Sequence, residues 1–325
     1  MIMLICILAV VLALVLLTGI GGYGMYRYAV VRRKNATDYW AHPEKVKPPQ
    51  DMTAERAEIV VRGRKFLLEN GGKPYYRVSR DGLTLACRIL HPDGIWTEQP
   101  RGIFLCCHGY RSHAIFDFSG AAEWLLRKGF SLCLIDERAC GSSAGKYITF
   151  GIREKDDIVD WACWLQERYP DLPVILDGVS MGASTVLAAS GETLPQNVRA
   201  ILADCGYISP AAICKKILRQ WFHLPPFPVY YAALCWIWLR TGVWLTALDC
   251  RETVRKNRLP LLIVHGTGDD FVPFAMGEEL YAAARDHCDA EFFTVRDAPH
   301  AQSWLYDTDG YKAAVNRLLH KAGIE

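Results

Sequence analysis

Short apolar runs alternate with amphipathic stretches along most of the 325-residue chain, and this pattern predicts strands interleaved with helices. The predicted strands cover residues 75–79, 83–90, 101–109, 131–137, 173–178, 198–204, 260–266 and 290–298. The predicted helices cover residues 54–68, 121–128, 154–169, 181–189, 276–288 and 303–322. Asp81-Gly82 separates the first two strands and is typical of a hairpin turn. We therefore predict an α/β fold with a mostly parallel eight-stranded sheet that carries helices on both faces.

The longest apolar run is IMLICILAVVLALVLLTGI at residues 2–20, and no charged residue occurs before Arg27. As a helix, this run would span about 28 Å, close to the thickness of a bilayer core. A signal peptide would carry a basic n-region and a small-residue cleavage site, whereas this chain begins Met-Ile-Met and shows no A-x-A. A buried core helix rarely stays uncharged for so long. We predict one N-terminal transmembrane helix, with residues 1–26 as the anchor.

Basic residues follow this run and indicate its orientation. They are Arg27, Arg32, Arg33 and Lys34. Because cytoplasmic flanks carry the excess of Arg and Lys, we expect a single-pass protein whose main domain is cytoplasmic. The chain has twelve cysteines without C-x-x-C clusters, and a bridge between the adjacent Cys106 and Cys107 would be strained. Unpaired thiols suit a reducing compartment.

The rest of the chain divides into a linker region and one large domain. Residues 27–70 are predicted to form a juxtamembrane linker and helix, and residues 71–325 the main domain. An insertion at about residues 206–258 separates the sixth and seventh strands and is crowded with prolines and aromatic residues. A second membrane span is the alternative, but Arg240 and three prolines interrupt it. We predict a helical cap over the site at the carboxyl ends of the strands.

Aromatic residues of this cap could line an apolar acyl pocket, although half of them are expected to pack the cap onto the body instead. The candidates are Trp221, Phe222, Phe227, Tyr231, Trp236 and Trp238. The composition is that of an ordinary globular protein, with 51% hydrophobic and 22% charged residues. The net charge of +2 gives no reason to expect a nucleic-acid partner.

Two stretches match G-x-S-x-G, the pattern of a nucleophilic serine on a sharp turn: GSSAG from Gly141 and GVSMG from Gly178. Such a turn needs a strand directly before it and a helix directly after it. GVSMG has both, because the strand PVILDG enters it and MGASTVLAAS leaves it. GSSAG is separated from its strand by three residues and is followed by the β-prone KYITFG. Ser180 is therefore the candidate nucleophile, and Ser143 is predicted to be a loop serine.

An acid and a histidine follow Ser180 in the order that a Ser-acid-His triad on this kind of fold requires. Asp269 follows the strand PLLIV and His300 follows the strand AEFFTVR, so both lie at strand ends. Histidine can take and return a proton near neutral pH, and the carboxylate would fix its tautomer. Asp270 and Asp204 remain alternatives for the acid.

The predicted oxyanion hole combines the backbone N–H groups of Met181, which follows the nucleophile, and Tyr110, in the loop after the third strand. His108 and His265 are interpreted as structural residues at strand ends. Cys106 and Cys107 are interpreted as core residues.

These motifs together resemble the α/β-hydrolases, and in particular bacterial membrane-anchored members of the serine aminopeptidase-like hydrolase group. The resemblance covers about residues 75–322, and its motifs are His108-Gly109, the run from Asp136 to Gly145, GVSMG, the run HGTGDDFVP from His265, and His300. Ala139 and Cys140 stand where such runs often have glycine and histidine. The resemblance implies the α/β-hydrolase fold and a Ser-His-Asp site, and it leaves the substrate open.

We therefore expect a serine hydrolase that cleaves a carboxylic ester or related acyl bond through an acyl-enzyme intermediate. A serine peptidase of the aminopeptidase kind and a non-catalytic membrane-tethered scaffold are the alternatives. No metal or organic cofactor is expected. The expected partners are a small or lipid-like acyl substrate and the lipid bilayer, which residues 2–20 would enter.

Overall fold

The computed structural model describes residues 1–33, 37–50, 52–92 and 100–324, and the side chain of Trp221 is not among the described parts. Lys34 of the predicted basic flank lies outside these residues. The strands are β1 (Tyr75–Val78), β2 (Thr84–Leu90), β3 (Gly102–Cys107), β4 (Phe130–Asp136), β5 (Val174–Val179), β6 (Val198–Asp204), β7 (Leu261–Gly266) and β8 (Ala290–Val295). The α-helices are α1 (Ile2–Ala29), α2 (Ala54–Asn70), α3 (Ala114–Asp117), α4 (Ala122–Arg127), α5 (Glu154–Arg168), α6 (Met181–Ala189), α7 (Pro210–Trp221), α8 (Val229–Thr241), α9 (Cys250–Val254), α10 (Phe274–Ala284), α11 (Ser303–Tyr306) and α12 (Thr308–Lys321).

The strands form a single eight-stranded sheet in the order β1-β2-β4-β3-β5-β6-β7-β8. β2 pairs antiparallel with both β1 and β4, whereas all pairings from β4 across to β8 are parallel. The predicted mostly parallel sheet with an antiparallel hairpin at its start is confirmed. Because the carboxyl ends of the parallel strands meet at one edge, the loops after β3, β5, β7 and β8 are brought together there.

Both faces of the sheet are buried, as continuous apolar strands predict. Along β3, Ile103 and Leu105 pack into the core on one face, while Phe104 and Cys106 pack into the core on the other. The helix α5 covers the first face with its buried Trp161. The helices α4 and α12 cover the second face, which confirms the prediction of helices on both sides.

Two local features differ from the predictions. The helix expected over 303–322 is two helices, because Asp307 takes a non-helical conformation (φ −143°, ψ 73°) and its carboxylate accepts a hydrogen bond from Gly310 N–H at 2.9 Å. This is the capping geometry that begins a new helix. The short helix α3 was not predicted, and the ring of His113 accepts a hydrogen bond from Ile115 N–H at its start.

Helix α1 is the one described helix that is long and apolar enough to cross a membrane, although a signal sequence meets the same test. It extends beyond the predicted anchor to Ala29, and its last turns pack on α8 of the cap. Gly22 is buried there, and a Cβ on it would lie 2.6 Å from Ala232 Cβ. The Trp236 indole N–H donates to the Gly19 carbonyl at 2.9 Å. The helix is therefore joined to the folded domain and is more than an appended segment.

The segment between β6 and β7 contains the three helices α7, α8 and α9, as the prediction of a helical cap requires. The side chain of Lys216 on α7 donates to the carbonyls of Asp270 and Phe271 in the loop after β7. The cap is thus tied to one of the loops at the carboxyl edge of the sheet.

Candidate active site

Ser180 stands on a sharp turn between β5 and α6. Its backbone is in a strained region for a non-glycine residue, with φ 58° and ψ −113°. The turn is possible because its neighbours lack side chains: a Cβ on Gly178 would overlap the Gly182 carbonyl, and a Cβ on Gly182 would overlap the Cys107 carbonyl. The side chain of Ser180 is consequently held at the carboxyl edge of the sheet, at the start of α6.

Three side chains from separate loops form a chain of hydrogen bonds at this edge. His300 Nε2 lies 2.8 Å from Ser180 Oγ, and His300 Nδ1 lies 2.7 Å from Asp269 Oδ2. The three residues follow β5, β7 and β8, so the register of the parallel strands brings them together. The structure thus joins the three residues that the sequence singles out for nucleophile, acid and base.

The environment of Asp269 favours its ionised form. Burial raises the pKa of this carboxyl, but hydrogen bonds from His265 and His300 outweigh it and lower the pKa to about 2. Oδ1 also accepts hydrogen bonds from the backbone N–H groups of Phe271 and Val272, at 2.9 and 2.8 Å. An ionised Asp269 accepts from His300 Nδ1–H, which leaves Nε2 free to accept the Ser180 hydroxyl proton.

The two alternative acids lie elsewhere. Asp204 is buried, and its carboxylate accepts a hydrogen bond from Ser303 Oγ at 3.0 Å. Burial raises the pKa of Asp204 to about 6. Its backbone carbonyl accepts from Ser180 N–H at 2.8 Å, so this residue supports the turn. Asp270 is exposed and bonds Lys216 through its carbonyl.

His265 contacts the acid in a way that sequence reasoning did not anticipate. It is buried, and its Nε2 lies 3.3 Å from Asp269 Oδ2 and 2.9 Å from the Val272 carbonyl. The interpretation as a structural residue therefore extends to holding Asp269 in place. The four-residue spacing from His265 to Asp269 across a strand end was the available signal.

The candidate oxyanion donors Met181 and Tyr110 lie on two segments next to Ser180. Met181 is the first residue of α6, where backbone N–H groups have no intrahelical acceptor. A Cβ on Gly109 would lie 3.3 Å from Ser180 Cβ, which puts the loop carrying Tyr110 beside the nucleophile. Asp117 fixes this loop, because its Oδ2 accepts from Gly109 N–H at 2.7 Å.

His108 has the contacts of a turn-shaping residue. It is buried, its Nδ1 lies 2.8 Å from the Gly109 carbonyl, and its Nε2 accepts from Glu137 N–H at 3.1 Å. Burial lowers the pKa of His108, so the ring stays neutral. Cys106 and Cys107 are buried in β3, and burial raises the pKa of each thiol well above its usual range. Such thiols are poor nucleophiles.

The second G-x-S-x-G stretch is a structural loop. Ser143 is buried, and its hydroxyl donates to the Asp136 carbonyl at 2.5 Å and accepts from Ala86 N–H at 2.8 Å. Arg32 donates to the carbonyls of Gly141 and Ser143 at 2.8 and 2.6 Å. The loop therefore connects the sheet to the chain that follows α1, and the buried Ser143 hydroxyl is held by two backbone groups.

The structure does not bring the candidate acyl-pocket aromatics together with Ser180. Phe227 and Tyr231 are 73% and 50% exposed and contact each other. Phe222 contacts Tyr28, and Trp236 contacts α1 through Tyr23 and Gly19. The cap is itself tethered to α1, so these rings face α1 or solvent. These four rings therefore do not form the expected acyl pocket. The Trp221 side chain lies outside the described parts.

One group of side chains has the proximity of metal ligands within the described residues. Ligand atoms of Cys205, Asp269 and His300 lie within 4.8 Å of one another. Burial raises the pKa of the Cys205 thiol well above its usual range, and a protonated thiol is a poor ligand. Asp269 and His300 are already bonded to each other. The donor set therefore does not fit a metal centre.

Comparisons with known proteins agree with this architecture. Residues 98–227 match the model of the family described as serine aminopeptidase, S33. The uncharacterized protein YqkD of Bacillus subtilis (strain 168) is 26% identical over 223 residues, which are 68% of this chain and 72% of that protein.

Solved structures share the fold at low sequence identity. The Pyrococcus furiosus esterase Pf2001 has a TM-score of 0.62 at 20% identity, over 85% of this chain and 97% of that one. Est1E from Butyrivibrio proteoclasticus, solved with ferulic acid bound, has a TM-score of 0.58 at 18% identity, over 77% of this chain and 99% of that one. Its strand order and these likenesses show that the chain has the α/β-hydrolase fold. The family match supports a hydrolase.

Proposed function

We propose that the protein is a serine hydrolase that cleaves a carboxylic ester or related acyl bond. The observation that carries this proposal is the Ser180–His300–Asp269 hydrogen-bond chain, with heavy-atom distances of 2.8 and 2.7 Å. These distances lie within the range that proton transfer needs. Because the esterases compared above share this fold, we prefer an ester to a peptide as the proposed substrate.

The reaction proceeds in two halves. Ser180 Oγ attacks the carbonyl carbon while His300 Nε2 takes its proton, and the carbonyl oxygen becomes an oxyanion. The N–H groups of Met181 and Tyr110 donate to that oxyanion. The imidazolium returns the proton to the leaving alcohol, the bond to it breaks, and the acyl group stays on Ser180. Water, deprotonated by His300, then attacks the acyl-enzyme. The imidazolium returns this proton to Ser180 Oγ as the bond between that oxygen and the acyl carbon breaks, and the acid is released.

A fluorophosphonate probe tests this proposal on detergent-solubilised full-length protein, because it reacts with an activated serine. Labelling of the wild type is expected, and Ser180→Ala should abolish it. Ser143→Ala is the matched control, since that serine belongs to the same five-residue pattern, and its labelling should persist. Unlabelled, folded wild-type protein would favour the non-catalytic scaffold.

A serine peptidase is the second candidate, because residues 98–227 match the serine aminopeptidase model. The two candidates separate on substrate panels of equal acyl chain length. An esterase should hydrolyse p-nitrophenyl esters and leave aminoacyl p-nitroanilides almost untouched, whereas the peptidase should turn over both. Loss of either activity in Ser180→Ala assigns it to this site.

We further propose that α1 remains attached and anchors the protein in a membrane, with the main domain on the cytoplasmic side. The packing of Gly22 on Ala232 supports retention, because removal of α1 would expose the apolar surface of α8. Arg27, Arg32 and Arg33 support the orientation. Fusions of cytoplasm-dependent and export-dependent reporters to the carboxyl terminus test it. An active export-dependent reporter would reverse the assignment.

A further inference from the structure

An open cavity of about 440 Å³ lies where the end of α1, the GSSAG loop and the end of α8 meet. Its lining is strongly basic and, among the described residues, contains no carboxylate. The cations that line it are Arg27, Arg32, Arg33, Lys146 and Arg240. Residues distant in sequence are thus gathered around one cavity of a single charge sign, which repels cations and attracts anions.

These cations are not neutralised by the protein in its described parts. Arg27, Lys146 and Arg240 form no ion pair with a described carboxylate. The Arg32 guanidinium donates hydrogen bonds to the carbonyls of Gly141 and Ser143. These acceptors are neutral, so they do not offset the positive charge of Arg32. Arg33 lies over the Tyr28 ring at 5.9 Å. An anion in the cavity would therefore offset repulsion that the fold leaves uncompensated.

The cavity lies at the depth where α1 would leave a bilayer. The apolar run ends at about residue 20, and the cavity begins with Tyr23, Tyr26 and Arg27. Three tyrosine rings, those of Tyr23, Tyr26 and Tyr147, line the cavity itself. Tyr and Trp rings concentrate at the headgroup level of membranes, next to basic residues.

We propose that this cavity binds the phosphate of an anionic phospholipid from the membrane that α1 spans, an inference that rests on the proposed anchoring. Arginine and lysine supply charge-assisted hydrogen bonds to phosphate oxygens, and Tyr23, Tyr26 and Tyr147 line the same space. A lipid is favoured over free phosphate because the apolar surfaces of α1 and α8 adjoin the cavity and can receive acyl chains.

The proposed lipid site touches the same segment as the candidate active site. The Tyr110 hydroxyl donates to the Ala29 carbonyl at 2.7 Å, and Arg111 donates to the Val31 carbonyl at 2.9 Å. Val31 also lines the cavity. A bound headgroup would therefore order the chain that supports the loop carrying the candidate oxyanion donor Tyr110.

Lipid binding is measured on full-length protein in dodecyl maltoside micelles that carry fluorescent phosphatidylglycerol or phosphatidylcholine. The Ser180→Ala background prevents hydrolysis and separates this test from that of the enzymatic proposal. We expect phosphatidylglycerol to bind at least tenfold more tightly than phosphatidylcholine. The triple variant Arg27→Gln, Lys146→Gln and Arg240→Gln should bind phosphatidylglycerol roughly 100-fold more weakly, at about fivefold for each cation near an anionic surface.

The matched control is the triple variant Lys73→Gln, Lys256→Gln and Arg296→Gln, which removes the same charge from exposed positions outside the cavity. It should bind as the wild type does. Equal affinity for the two lipids, unchanged binding by the cavity variant, or equal loss in the control would each overturn the proposal. So would competition by inorganic phosphate at the lipid's own concentration, which would make free phosphate the ligand. If the triple variant unfolds, Lys146→Gln alone should still weaken binding about fivefold.

Discussion

His300 Nδ1 lies 2.7 Å from Asp269 Oδ2, although the two side chains come from the ends of different strands. Asp204 is also at a strand end and influences His300 electrostatically, but its carboxylate is bonded to Ser303. The difference matters because only the acid that accepts from Nδ1–H can fix the tautomer that accepts the serine proton. The geometry therefore favours Asp269 as the acid of the proposed triad.

Asp269→Asn should reduce kcat/KM on a p-nitrophenyl ester about 10⁴-fold, because an amide can hold the wrong imidazole tautomer. Asp204→Asn should reduce it less than about tenfold, since this residue supports the turn through its unchanged backbone carbonyl. Both variants are compared with the wild type in one steady-state assay. A larger loss in Asp204→Asn than in Asp269→Asn would show that the acid is misassigned.

Asp204 should make the folded state less stable as the pH rises. Burial raises its pKa from 3.8 to about 6 in the folded protein, so the folded state binds more protons than the unfolded state between these values. The contribution of Asp204 to the free energy of unfolding should fall by about 3 kcal/mol as the pH rises from below 3.8 to above 6. Asp204→Asn removes that dependence.

The measurement is denaturant unfolding of the detergent-solubilised wild type and Asp204→Asn at pH 4 and pH 8. The free energy of unfolding of the variant, taken relative to that of the wild type, should be about 2.5 kcal/mol higher at pH 8 than at pH 4. The comparison between the two pH values cancels the constant effect of the substitution, including any loss of the Ser303 hydrogen bond. An identical difference at both pH values would contradict a raised pKa.

The elbow should be intolerant of a single methyl group at Gly182. A Cβ there would overlap the Cys107 carbonyl, which is backbone of a central strand and cannot move without disturbing the sheet. Gly182→Ala should cost at least about 3 kcal/mol of stability or prevent folding. Gly19→Ala is the control, because a Cβ at this other helical glycine meets nothing within 4 Å. Thermal melting compares the two variants. A Gly182→Ala protein that is stable and is still labelled by the fluorophosphonate probe would contradict the close approach of Gly182 to the Cys107 carbonyl.

Local sequence signals were sufficient for the sheet and for the choice between the two serine motifs. A strand before Ser180 and a helix after it predict the elbow, whereas the residues around Ser143 predict a loop. The positions of Asp269 and His300 follow from strand order, because parallel strands bring their carboxyl ends together. These features depend on short segments and on topology, which a sequence pattern carries directly.

Contacts between distant segments were beyond such reasoning. Nothing in the apolar run of α1 shows that Gly22 meets Ala232, and the cap aromatics could equally have faced inward. The contact of His265 with Asp269 depends on the course of a loop, and the break at Asp307 on one capping hydrogen bond. Each outcome is decided by side-chain packing in three dimensions, which the hydrophobic periodicity of the sequence does not predict.

Helix α1 should be sensitive to side-chain size on the face that meets α8. A Cβ on Gly22 would lie 2.6 Å from Ala232 Cβ, so Gly22→Ile must push the two helices apart. Gly24→Ile is a matched control in the same helix, because a Cβ at Gly24 meets nothing within 4 Å. The first variant should lose about 1–3 kcal/mol of stability and the second almost none.

Thermal melting and limited trypsin digestion of the solubilised protein test this pair. Arg240 lies in the last turn of α8 and is exposed, so separation of α1 should speed cleavage at this residue in Gly22→Ile alone. The control also removes the effect of added hydrophobic surface, because both variants gain the same side chain. If the two variants melted and were cleaved alike, α1 would be an independent segment, and the basic cavity that it shares with α8 would lose one of its walls.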